Sequence, residues 1–140
     1  MKEYENFLTL EVVWKDEHML ELEITVSNNG YRGVARGYDT GERLEILTKQ
    51  LEGFPKGDRS IYYEIRESMQ QCPLSISFCP ISPSGLVVVK VYLEKEGPND
   101  CQNSNISTEL LVEPSSIDTF RQYLTTLATT QKGVAKLISR

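Results

Sequence analysis

The sequence predicts an α+β fold: a mostly antiparallel, curved sheet of about seven strands in the order β-β-β-α-β-β-β-β-α, with two helices packed on it. Three observations lead there. Early segments alternate apolar and polar residues with the period of a half-buried strand. Two later stretches carry apolar residues at helical spacing behind start and stop signals. Between them, strand patterns follow one another through hairpin-length links, with none of the strand–helix alternation of a parallel sheet.

Leu8, Leu10, Val12 and Trp14 form the first alternating set, and Leu20, Leu22, Ile24 and Val26 the second, with a short loop at residues 15–19. Asn29-Gly30 is a tight-turn signal, because both central positions of a type I′ turn need positive φ. A third strand follows at residues 31–38. Matching the apolar faces pairs Trp14 with Leu20 and Val12 with Leu22, since a slip of one residue inverts a face. The turn then pairs Val26 with Gly33, Ile24 with Ala35 and Leu22 with Gly37. Small residues leave room there for a close neighbour, expected to be the helix that comes next.

That helix is expected over residues 40–52. Asp39-Thr40-Gly41-Glu42 has capping-box spacing, Leu44, Leu47 and Leu51 form a stripe, and Gly53 and Pro55 stop it. Strands are then expected at residues 60–65, at 74–79 before Pro80, and at 86–93 after a turn at 80–85. The 86–93 run is apolar at nearly every position, which predicts a central strand covered on both faces. A polar loop at 96–104 leads to a strand at 105–112. Pro114-Ser115 then opens a helix with Ile117, Phe120, Leu124 and Leu127 on one stripe to about residue 128. Residues 1–128 read as one domain and 129–140 as a basic tail that could fold as helix, edge strand or neither.

The chain of 140 residues is 39% apolar and 25% charged, globular in composition. A chain this long buries roughly two-thirds of its unfolded surface, so it needs no metal or disulfide to fold. No apolar run reaches the roughly 20 residues of a membrane span, and Met1-Lys2-Glu3-Tyr4-Glu5 opens no signal peptide. Three cysteines, Cys72, Cys79 and Cys101, are an odd set without metal spacing, which suits a reducing, cytoplasmic setting. The net charge is −5, and residues 1–27 hold seven acids against Lys2 and Lys15. Residues 129–140 hold Lys132, Lys136 and Arg140 and no acid. Such a surface repels phosphate and attracts a basic protein, so nucleic acid and membrane are not expected partners.

The catalytic inventory is thin. The single His18 lies in the run Asp16-Glu17-His18 beside a turn, a poor position for a general base. No nucleophile elbow, phosphate loop or calcium-loop spacing occurs, so no catalytic, cofactor-binding or metal-ligating residues are assigned. One constellation is sharper. In the inferred register Glu11 faces Glu23 across strands, Arg36 faces Glu23 from the other side, and Glu21 faces Tyr38. Like charges opposite one another are unfavourable, and a basic partner relieves them. Glu11, Glu21 and Glu23, with Asp16 and Glu17 in the adjoining turn, are therefore the candidate partner-binding residues, set against the plainer role of a solvated face. Tyr62, Tyr63, Tyr92 and Phe54 form a weaker aromatic candidate.

The run Leu22-Glu23-Ile24-Thr25-Val26-Ser27-Asn28-Asn29-Gly30-Tyr31-Arg32-Gly33 stands ahead of Leu51-Glu52-Gly53-Phe54-Pro55 and Val112-Glu113-Pro114-Ser115-Ser116-Ile117-Asp118-Thr119-Phe120. Together these resemble a family of small uncharacterised bacterial α+β proteins. More distantly, the layout is similar to immunity proteins of wall-associated polymorphic toxins. The matching residues are turn, cap and core residues, so the resemblance implies a fold and transfers no site. The expectation is a non-enzymatic protein-binding domain, immunity-like, blocking a basic toxin or effector. The alternative is a small-molecule binder or enzyme with a pocket between sheet and helix near Arg36, Tyr38 and Tyr92. A homodimer through a sheet face or edge is the third.

Overall fold

The computed structural model describes residues 5–67, 71–81, 83 and 85–140. The opening residues 1–4 and two positions of the 80–85 turn lie outside the described residues. The chain is α+β, with strands β1 (Phe7–Lys15), β2 (Leu20–Asn28), β3 (Tyr31–Asp39), β4 (Ile61–Ile65), β5 (Leu74–Pro80), β6 (Val87–Lys95), β7 (Ser104–Val112) and β8 (Val134–Ile138). Helices α1 (Gly41–Leu51) and α2 (Pro114–Thr130) complete the set. The strands form two open antiparallel sheets of four, ordered β3-β2-β1-β8 and β4-β5-β6-β7. One sheet of about seven strands was expected. The division follows from α1, whose eleven residues separate β3 from β4 so that the two strands never pair.

The β2–β3 hairpin has the expected register, with Val26 against Gly33, Ile24 against Ala35 and Leu22 against Gly37. Its turn has Asn29 at φ 53° and Gly30 at φ 87°, the double positive φ that a type I′ turn requires. The β1–β2 register holds through Val12 and Leu22 and then shifts. A bulge at Val13 leaves Trp14 opposite Glu21 instead of Leu20. The extra residue inverts the phase of the strand, and Trp14 turns out of the core.

What lies close to Gly33 and Gly37 is the second sheet. A Cβ at Gly37 would stand 2.7 Å from Ile65 Cγ2, and one at Gly33 would overlap Ile106. Ile65, Leu74, Leu93 and Ile106 are successive cross-strand partners, one row across the second sheet. The backbone of β3 therefore lies along that row and crosses the strands beneath it, an orthogonal contact of two sheets. Helix α1 instead packs chiefly against α2.

Both helices fill the remaining space between the sheets. Leu44, Leu47 and Leu51 of α1 and Ile117, Phe120, Leu124 and Leu127 of α2 are buried in one cluster with the inner faces of both sheets. Each such side chain contributes about 1.5–3 kcal/mol by leaving water. The N-cap of α1 is Thr40, which accepts from the Arg43 N–H at 3.2 Å, not Asp39. Asp39 is the last residue of β3, and its carboxylate is engaged in the interior. Strand β6 is internal, as its composition predicts, but one face only is covered: Val88 and Tyr92 are half-buried and Lys90 is exposed. Residues 129–140 belong to the domain. Helix α2 runs on to Thr130, and β8 pairs with β1, burying Ala135 and Leu137.

Candidate functional site: an acidic sheet face

The first sheet turns one face to the core and the other to solvent. On the outer face Glu11, Glu23 and Arg36 stand in one cross-strand row, as the sequence register requires, with Val134 of β8 beyond Glu11. Arg36 places Nε and Nη2 each 2.8 Å from Glu23 Oε2. Glu11 is exposed and has no ion pair among the described residues. The Arg36 charge is thus given to Glu23 alone.

The next row is Trp14, Glu21 and Tyr38. The two rings meet edge to face with centroids 6.3 Å apart, and each residue is 48% exposed. This pair was not legible from alternation, which assigns Trp14 to the core. The signal was present in the Val12-Val13 doublet, two consecutive apolar residues where the period of two calls for one.

Asp16 and Glu17 do not join these rows as free charges. Asp16 Oδ1 accepts the N–H groups of His18 and Met19, both at 2.8 Å, and those bonds hold its carboxyl below the usual carboxylate range. Asp16 shapes the turn. Glu17 is exposed and, with Glu42 and Glu45 of α1, lines a separate shallow hollow of about 500 Å³. His18 is exposed in that turn.

Beyond Arg36 the outer face runs into a cleft of about 510 Å³ where β3 crosses the ends of the second sheet. Glu23, Glu67, Glu94 and Glu96 line it against Arg36 and Lys95, four carboxylates to two cations. The concavity near Arg36 thus opens between the two sheets; a hollow between sheet and helix exists instead between β8 and α2, lined by none of Arg36, Tyr38 and Tyr92. Tyr38 and Tyr92 lie outside the lining of the cleft as well. Tyr92 donates its O–H to Glu94 at 2.8 Å and Tyr62 to Glu64 at 2.7 Å, and each carboxylate raises the phenol it accepts from. Cys72 borders the cleft, but burial and the nearby Glu64 charge push its thiol up, away from the thiolate a nucleophile needs. Of the aromatic candidates, Tyr63 and Phe54 are buried in the core, while Tyr62 is exposed and Tyr92 half-buried. Among the described residues no three His, Cys, Asp or Glu side chains form a metal cage, and no helix is long and apolar enough to cross a membrane.

Fold and surface together define an α+β protein of two open antiparallel sheets, one presenting acids and paired aromatics to solvent. The chain matches no family model, no curated protein and no solved structure.

Proposed function

We propose that this protein is a non-enzymatic protein-binding domain that captures a basic partner on the outer face of its first sheet, in the manner of an immunity protein occluding a toxin or effector. The observation that carries the reading is the exposed Trp14–Tyr38 pair set beside Glu11, Glu21 and Glu23. Large aromatics dominate the energetics of interfaces, and the surrounding charges steer the encounter and select the partner's sign. The two elements divide the work. Glu11, with no ion pair among the described residues, and Glu21 attract; Trp14 and Tyr38 supply the buried area; and the acidic cleft past Arg36 suits a lysine or arginine of the same partner. A reducing cytoplasm fits the three free thiols.

The test is affinity capture of basic proteins from native lysate at low and high salt, followed by kinetics on the retained species. Glu11→Lys with Glu23→Lys should slow association at least tenfold and abolish its salt dependence. Trp14→Ala should speed dissociation by a similar factor. If both variants melt like the parent yet capture the same partner with unchanged rates, the proposal fails.

A further inference from the structure

The four sheet edges are not equally protected. The outer edge of β7 is covered where Asn28 Nδ2 donates to Glu109 O at 2.7 Å and the Arg140 N–H to Leu111 O at 3.0 Å. The β4 edge receives Arg43 Nη2 at Glu64 O, 2.8 Å away. The β3 edge carries Arg32 and Arg36, both exposed, and charge on an edge guards it against pairing. The edge of β8 differs.

Val12 donates its N–H to Gly133 O at 3.0 Å, and Ser139 donates to Asn6 O at 2.9 Å. The period of two then directs the main-chain groups of Ala135 and Leu137 toward β1 and those of Val134, Lys136 and Ile138 away from it. No other main-chain hydrogen bond among the described residues reaches these three positions. The edge opens into a groove of about 510 Å³ between β8 and α2. The floor on the helix side is Ser116, Thr119 and Tyr123, and the sheet side is Val134, Lys136 and Ile138. Val134 is 48% exposed, Tyr123 53% and Ile138 54%. An open ladder is thus bordered by two exposed aliphatic side chains with Lys136 between them, its ammonium 2.7 Å from Glu5 Oε1 and 4.7 Å over the Phe7 ring, so that a partner carboxylate competes with an exposed Glu5 for it.

We propose that this groove receives an extended segment of a partner protein as an antiparallel strand on β8, with a carboxylate facing Lys136 and apolar side chains beside Val134 and Ile138. Main-chain bonds would supply affinity and the alternate side chains specificity, the logic of strand addition. The charge selects the occupant. A second copy pairing β8 with β8 about a two-fold would set Lys136 against Lys136, like charges directly opposite. A carboxylate removes that repulsion, and the Glu5 carboxylate it competes with is exposed. Small side chains at Ser116 and Thr119 leave depth for the residues of the added strand that point toward α2. The groove adjoins the Glu11–Glu23 row at Val134, but its occupant is held by the β8 edge and α2, and the inference does not rest on the function proposed above.

The probe is a synthetic peptide, acetyl-Thr-Val-Thr-Glu-Thr-Val-Thr-amide, with a lysine-centred copy as its counterpart, titrated into the full chain and followed by amide shifts. The glutamate peptide should bind with a sub-millimolar Kd and the lysine peptide about tenfold more weakly. Lys136→Glu should invert that preference. Thr119→Arg, which leaves β8 untouched, should weaken both peptides by filling the groove, and thermal melts establish that both variants are folded. Equal binding of the two peptides, or no binding of either at about 1 mM, would overturn the proposal. So would a wild-type dimer that Lys136→Pro dissociates, because the edge would then belong to a second copy.

Discussion

Asp39 ends β3 with its side chain almost wholly out of water, and it is held there by donors from β4, from α1 and from the cap residue between β3 and α1. Its carboxylate accepts the Tyr63 O–H at 2.5 Å, the Thr40 N–H at 2.8 Å and Arg43 Nη1 at 3.4 Å. Arg43 also reaches Glu64 O at 2.8 Å and lies 5.6 Å over the Tyr63 ring. A buried carboxylate is tolerable only when its lone pairs are satisfied, so this joint ties β3, α1 and β4 together and displaces Asp39 from the capping role its spacing suggests. Burial, reinforced by the Asp39 charge, pushes the Tyr63 phenol well above its ordinary value. The folded state therefore keeps the Tyr63 proton after the unfolded chain has released it. That contribution to stability is whole below the unfolded value of about 10 and declines as pH rises past it. Tyr63→Phe should cost about 1–3 kcal/mol at neutral pH, because Asp39 loses a donor it cannot replace with water. It should also make the fall in stability between about pH 10 and 11 shallower. Urea melts of parent and variant across that range check both, and parallel alkaline slopes would refute the account.

At the scale of the element, β3 shows what alternation can and cannot disclose. The clean period of Leu20, Leu22, Ile24 and Val26 and the Asn29-Gly30 turn determine one register, because any slip would turn four large side chains to solvent. Gly33, Ala35 and Gly37 were legible as a flat surface for that reason. What covers them was not, since a glycine states that something approaches closely without naming it, and the covering row begins at Ile65, 28 residues beyond Gly37. Glu11, Glu23 and Arg36 were likewise legible as a row, because they lie on the regular side of the Val13 bulge. Trp14 lies past it, and one inserted residue moved the largest side chain of β1 from the expected core to the candidate surface. The close crossing makes a direct prediction. Gly37→Ala brings a methyl group within 2.7 Å of Ile65 Cγ2 and should destabilise by about 1–3 kcal/mol. Ile65→Ala alone should cost about 2–5 kcal/mol through its cavity. The double variant should be more stable than the sum of the two losses by at least about 0.5 kcal/mol, the coupling expected of residues in contact. Strict additivity in chemical denaturation would mean that β3 does not bear on this row.

At the scale of the whole fold, residues 134–140 close the two sheets. The inner face of the first sheet lies against the second sheet closely along β3, and α2 and α1 fill the space between the sheets; β8 adds the outermost strand of that first sheet. Ala135 and Leu137 are fully buried, and the chain then crosses to the second sheet: Ser139 Oγ donates to Leu111 O at 2.9 Å, the Arg140 N–H donates to the same oxygen at 3.0 Å, and Arg140 Nε lies 2.9 Å from Glu113 Oε1. A segment that composition marks as a basic tail thus clasps both sheets. Its pattern was too short to separate strand from helix, and only the exposed β1 edge it covers decides the matter. Losing one buried leucine costs about 2–5 kcal/mol, and domains of this size are stable by only about 5–15 kcal/mol. Deleting residues 132–140 removes Leu137, Ala135, the ladder on β1 and the clasp on Leu111 at once, so the shortened chain should lack a cooperative melt and elute as expanded or aggregated material. Lys136→Ala removes only an exposed ion pair and a ring contact of the same strand, and should shift stability by no more than about 0.5 kcal/mol. Circular dichroism and size-exclusion chromatography of the two variants distinguish a strand that completes the fold from one that decorates it. A truncated chain melting near the parent's midpoint would show that the sheets hold together through β3 and the helices alone.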